Sequence, residues 1–140
     1  FWTEKIGPTA ALQTLKSMEK IKSWELITEI GNTITKNWKK ISNLHGIKMN
    51  VSGLSASPNF LFKSEKHHHY KTLISQEMLK KKILATNTVY LSSSHESSFL
   101  DIYANNLDKI FKNIKNCIDQ KISIYEILQS PVSQIGLRQK

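Results

Sequence analysis

The feature that most limits the fold is an apolar stripe in the first third of the chain. Trp24, Ile27, Ile30, Ile34, Trp38, Ile41 and Leu44 recur at intervals of three and four residues. That period puts all seven on one face of a helix; a strand, whose side chains alternate every two residues, cannot use it. The spacing predicts a helix from Ser23, read as its N-cap, to Leu44, with His45-Gly46 as the stop. A second stripe of Phe99, Ile102, Tyr103, Leu107, Ile110, Phe111, Ile114 and Ile118 predicts another long helix. Each face must be buried against other elements, so the chain reads as a packed unit.

The remaining segments fill in the class. Pro8 suits the first turn of an earlier helix carrying Ala10, Ala11, Leu12, Leu15 and Met18 on one face. Ile47, Met49 and Val51 alternate with polar residues, as in a half-buried strand. Gly53 to Pro58 is rich in turn residues, and Asn59 to Lys63 reads as a second, antiparallel strand. His67 to Ile83 reads as a helix, Thr88 to Ser92 as a third strand, and Ile122 to Leu128 as a short helix. The expected fold is α+β: a small two-layer domain with a short, largely antiparallel sheet packed with amphipathic helices. Phe1 in place of Met, and two aromatics with a Gly-Pro turn before the first helix, make an abrupt start. The expectation is a piece of a longer protein, with a connecting segment and helix over 1–22 and a small domain over 23–140.

Charge and cysteine content narrow the function classes. The 140 residues carry a net charge of +9. The basic residues are 19 lysines and Arg138, and only Lys80-Lys81-Lys82 cluster. Bidentate reading of guanine or phosphate wants arginine, so a nucleic-acid partner is not expected. No run approaches the roughly 20 apolar residues that span a bilayer, so a membrane partner is not expected either. A single cysteine, Cys117, admits no internal disulfide, and a reducing, cytoplasmic setting is expected.

The chemistry-bearing residues do not converge. His67, His68 and His69 would project about 100° apart from a helix, which fits a solvated helix start better than a metal site. His45 and His95 have no carboxylate or cysteine at ligand spacing. Cys117 falls on the apolar face of the last long helix and reads as a core thiol. Ser92 to Glu96 holds hydroxyl, imidazole and carboxylate, but neighbours in sequence do not form a triad. A strand end followed by capping serines, Ser97 or Ser98, accounts for them. No phosphate-binding glycine loop and no zinc spacing is present. Neither a catalytic nor a metal-ligating residue is assigned.

One resemblance covers the chain in order. The segment FWTEKIGPTAALQTL resembles the opening of the C-terminal small domain in class III, fold-type I aminotransferases that depend on pyridoxal phosphate. Members similar to glutamate-1-semialdehyde 2,1-aminomutase come nearest. Leu44-His45-Gly46, Gly53, the stretch Tyr90 to His95 and the tail Pro131 to Arg138 resemble later family motifs. Lys5 departs from the family's arginine, Lys82 stands where a glycine is expected, and Glu96 where a capping threonine is common.

The resemblance implies pyridoxal 5'-phosphate in the full-length enzyme, a homodimer, a large domain upstream and a small amino substrate. It implies transfer of an amino group on an amino acid, semialdehyde or keto substrate. It also implies that the cofactor lysine and its partner aspartate precede Phe1, so that this chain is inactive alone. Counting back from Gly7-Pro8 places Thr3 where the family contacts the cofactor phosphate of the neighbouring subunit. The alternative is a non-catalytic basic interaction module that binds a protein partner or polyanion.

Overall fold

The computed structural model describes residues 3–133. Helices α1 (Ile6–Ile21) and α2 (Ser23–Leu44) come first, then β1 (Met49–Leu54) and β2 (Ser57–Phe62). Helix α3 (His67–Leu79), helix α4 (Ser97–Ile118) and the single turn α5 (Ile124–Ile127) complete the order. The fold is the expected small α+β arrangement. Its strands pair antiparallel from Met49↔Phe62 to Leu54↔Ser57, leaving Ser55 and Ala56 as the turn. The strands therefore run further into the segment read as a turn.

The core lies where the stripes of α2 and α4 meet the inner face of β2 and one side of α3. Ile34 and Trp38 from α2, Phe60 and Phe62 from β2, Leu73, Ile74 and Met78 from α3, and Leu107, Phe111 and Ile114 from α4 are buried there. Phe60 and Phe62 face inward while Leu61 between them is exposed, the two-residue alternation of a strand with one buried face. Only the middle of each helical stripe is covered. Trp24 and Leu44 at the ends of α2, and Phe99, Ile102 and Ile118 on α4, stay exposed. Helix α1 buries none of its residues.

The corner between α1 and α2 corrects the N-cap reading. Lys22, in the left-handed region at φ 49°, both ends α1 and caps α2, while Ser23 is the first helical residue. The Lys22 carbonyl accepts from the N–H groups of Glu25 and Leu26, so the corner needs no side-chain cap.

The helix expected to reach Ile83 stops at Leu79. The Lys82 N–H donates to the Leu79 carbonyl and the Ile83 N–H to the Met78 carbonyl, with Lys82 left-handed at φ 60°. This pair of bonds is the Schellman stop, and a glycine favours its left-handed position. The same pair closes α2 through Gly46 and α4 through Gln120.

The expected third strand is not a strand. Residues 87–91 run along the free edge of β2, with Phe60 N–H donating to Asn87 O, Val89 N–H to Pro58 O and Leu91 N–H to Ala56 O. Only Asn59↔Thr88 forms a bridge. Two chemical facts interrupt the ladder. Pro58 has no N–H to return a bond to Val89. The Asn87 side-chain amide occupies the Phe60 carbonyl at 2.9 Å, where a third strand would present its own N–H.

Gly31 sets how closely α2 and the hairpin approach. A Cβ there would stand 1.9 Å from the carbonyl oxygen of Ser55. The obstacle is backbone, so no rotamer change relieves it. Alanine in a helix interior is otherwise favoured over glycine by about 1 kcal/mol, but overpacking costs about 1–3 kcal/mol. Gly31→Ala is therefore expected to lower stability despite the helix-propensity gain. Urea unfolding monitored by tryptophan fluorescence checks it, and an increase in stability would contradict the close approach.

Candidate functional site

One face of the molecule holds an open cleft of about 1190 Å³. The C-terminal half of α3, the segment 80–90 and the N-terminal half of α4 make its walls, and Ile34 of α2 contributes from below. Its lining is chiefly aliphatic and aromatic, including Leu79, Ile83, Val89, Leu100 and Tyr103. Thr72, Gln76 and His95 supply polar groups, and Lys80 and Lys82 stand at the margin. The Lys82 stop positions this wall by turning the chain from α3 back toward the β2 edge.

A short hydrogen-bonded brace holds the C-terminal segment beside the cleft. The Gln76 amide donates to the Ile127 carbonyl at 3.0 Å, and its oxygen accepts from Gln129 N–H at 2.7 Å. Further along, Ser133 N–H donates to Thr72 Oγ1 at 3.0 Å. Beside Gln76, burial pushes the Glu77 carboxyl up. Hydrogen bonds from Lys80 and Gln76 outweigh it and hold the group below the ordinary carboxylate value. Beneath the cleft, Trp38 Nε1–H donates to the Tyr103 hydroxyl at 2.9 Å. Burial raises the Tyr103 phenol far above its ordinary value, and the bond from Trp38 offsets only part of that.

The histidine run is not a freely solvated helix start; all three residues are half-buried. His67 Nδ1 accepts from Phe62 N–H at 3.2 Å, and the His69 ring meets Tyr125 edge-on at 5.2 Å. Nor do the three rings simply diverge: those of His67 and His68 meet edge to face at 5.1 Å between centroids. Among the described residues no group of three His, Cys, Asp or Glu side chains gathers around a common point.

His45 does have a carboxylate partner. Its Nε2 lies 2.8 Å from Asp108 Oδ1 on α4. The pair joins residues 63 positions apart, which no local spacing reveals. Cys117 is buried, and burial raises its thiol above the ordinary value. His95 Nδ1 accepts from Ser92 N–H at 3.1 Å, closing a local turn. Glu96, in extended conformation, is the residue that caps α4. Ser97 and Ser98 lie inside the first helical turn and do not cap it.

Thr3 sits exposed in the turn before α1, and its side chain makes no hydrogen bond to another described residue. It is on a different element from the cleft. The resemblance at Pro131 to Arg138 extends beyond the described residues from position 134 onward. No helix among the described residues is long and apolar enough to cross a membrane.

Comparison with known proteins gives one informative likeness. No family model and no curated protein sequence matches the chain. Among solved structures, the fold is similar to the pyridoxal phosphate internal aldimine form of the Sphingopyxis sp. MTA144 FumI protein, at a TM-score of 0.67 and 16% identity. The match covers 85% of this chain and 29% of that one. At this identity the likeness establishes the fold, and the chain corresponds to less than a third of the neighbour's length.

His67 generates a pH prediction. Burial, followed by the nearby charges of His68 and Lys71, places its folded-state value below the ordinary 6.5. As pH falls, the unfolded chain therefore takes up this proton before the folded chain does, and the group's contribution to stability is lost below about pH 6.5. The melting temperature is expected to fall between pH 7.5 and 5.5, and to fall less in His67→Gln. Scanning calorimetry across that range checks it; parallel curves for the two proteins would contradict the assignment.

Proposed function

We propose that this chain is the small domain of a pyridoxal-phosphate-dependent enzyme, an aminotransferase or aminomutase acting on a small amino acid, semialdehyde or keto substrate as a homodimer. The observation that carries the reading is the shared fold over 85% of the chain with a protein in a pyridoxal phosphate form. The family motifs beginning at FWTEKIGPT point the same way.

The described residues do not by themselves form a cradle for the cofactor. A phosphate needs converging N–H and hydroxyl donors, whereas the cleft is mainly apolar. Thr3 is exposed, and its hydroxyl has no hydrogen-bond partner among the described residues. On this reading the lysine that holds the cofactor and the carboxylate facing its ring nitrogen belong to polypeptide outside these 140 residues, as the family resemblance implies. No reaction step is assigned to a residue in this chain. Its proposed part is to form one side of the cleft, with Thr3 offered to the cofactor phosphate of the neighbouring subunit.

The test uses the intact polypeptide that contains these residues. It is expected to purify with a visible cofactor absorbance band, and borohydride is expected to fix the cofactor to a lysine outside the 140-residue segment. Absence of bound cofactor after reconstitution would overturn the reading. Thr3→Val keeps the side chain's shape and removes one bond to a charged group, an effect of about 1.5–3 kcal/mol. Cofactor affinity should then fall about ten- to a hundredfold, with unchanged melting of the apo protein. Equal affinities would remove Thr3 from the site.

A further inference from the structure

A smaller, polar hollow of about 380 Å³ lies at the open end of the hairpin, where the chain passes from α2 into β1. Ser42, Asn43 and Gly46 line one side of it, and Lys48, Met49 and Lys63 the other. It shares no residue with the apolar cleft.

Lys48 and Lys63 stand directly opposite each other. They extend the β1–β2 register one pair beyond Met49↔Phe62, and the Lys63 N–H donates to the Lys48 carbonyl at 2.9 Å. Like charges facing each other across two strands are destabilising. Neither lysine has an ion pair among the described residues. The carboxylates that reach this end of α2 are already taken. Asp108 is held by His45. Asp119 holds Lys115, whose stem comes within 4.0 Å of the place a Cβ on Gly46 would occupy.

The backbone repeats the imbalance. The Lys48 N–H returns no bond to the Lys63 carbonyl and has no other partner among the described residues. A helix C-terminus can account for nearby lysines, because its free carbonyls are negative. Here the carbonyls of Ile41, Ser42 and Asn43 already accept from the N–H groups of His45, Ile47 and Gly46. That of Lys39 accepts from Ser42 Oγ. Donors and positive charge thus border one hollow with no protein acceptor to meet them.

We propose that this hollow binds a phosphate dianion, free or as the terminal group of a phosphate monoester. Two ammonium groups match its two charges, and the Lys48 N–H and Asn43 amide supply directional donors. The lining holds no carboxylate and no aromatic ring, so the site suits the anion and not a pyridine cofactor. It stands apart from the proposed function and does not depend on it.

The test titrates inorganic phosphate calorimetrically into the intact polypeptide, loaded with pyridoxal phosphate and freed of excess. Low salt and about pH 8 keep both charges on the phosphate. Binding is expected at a Kd of about 1 mM. Lys48→Gln and Lys63→Gln should each weaken it at least about tenfold. Lys16→Gln, on exposed α1, removes the same charge and should change little. In phosphate-free buffer Lys63→Gln should melt slightly higher than wild type, because the facing charge is gone. Phosphate should then raise the melting temperature of wild type but not of that variant. No binding to wild type would overturn the site, as would equal losses in all three variants, which would indicate general charge attraction. Acetate binding as tightly as phosphate would overturn the dianion, and a lower melting temperature in Lys63→Gln would overturn the unrelieved repulsion on which the site rests. Glycerol phosphate separates the two sources: equal affinity supports a monoester as the occupant, and at least about tenfold weaker binding supports free phosphate.

Discussion

The contact of Trp38 with Phe60 ties the helical and strand parts of the fold together. Their ring centroids lie 4.7 Å apart at 72°, an edge-to-face arrangement in which the positive ring edge meets the negative face. Phe60 then meets Phe62 at 5.5 Å and Phe111 at 6.0 Å, and Phe62 meets Tyr70 at 5.6 Å. One aromatic network thus links α2, β2, α3 and α4. A two-stranded hairpin is marginal in water by itself, so β1 and β2 depend on this packing for persistence. The indole N–H has no water to turn to at that depth, and the Tyr103 hydroxyl satisfies it from α4. Gly31 belongs to the same constraint, since it admits the Ser55 carbonyl and lets α2 settle against the turn.

Left-handed residues at the helix ends decide where those packed elements lead. Gly46 suits its position at no steric cost, but Lys82 and Gln120 adopt the same region with a Cβ present. A non-glycine residue there costs roughly 1 kcal/mol. At Lys82 that strain is held by the two closing bonds of α3 and by Ile83 packing on the core. The consequence is local. The chain leaves α3 toward the edge of β2, and the segment so directed becomes a wall of the cleft.

The main elements were legible because their signals are periodic. Ile30, Ile34, Trp38 and Ile41 fix the buried face of α2, and Leu107, Ile110, Phe111 and Ile114 that of α4. Several departures lie where the deciding partner is distant in sequence, while those at Ser23 and at the end of α3 turn on a nearby left-handed backbone residue. Residues 88–92 have strand-like composition, yet Pro58 and the Asn87 side chain, on the other side of the pairing, stop the ladder. Ser23 has the chemistry of a cap, but the left-handed Lys22 already supplies the corner. His45 lacks a nearby carboxylate in sequence because Asp108 reaches it from α4. Of the site, Thr3 came from resemblance alone, and the cleft was not legible at all. Its walls come from residues 72–90 and 94–103, joined by Ile34 and residues 129–130, and the side chains look individually unremarkable in composition.

A likeness at 16% identity and a TM-score of 0.67 has a definite physical content. Cores accept wide changes of side chain as long as volume and pattern are kept, so backbone arrangement outlasts residue identity. The buried network around Trp38 holds this chain's fold together but carries no chemistry that would distinguish a substrate. Surface residues are free of that packing requirement, and function resides in sites built on a fold rather than in the fold. In this chain the unburied apolar faces, and the lysines beside the cleft that have no ion pair among the described residues, are the features that packing does not explain. They are accordingly where the physical argument for function must rest. The aromatic core sets only the position from which they act.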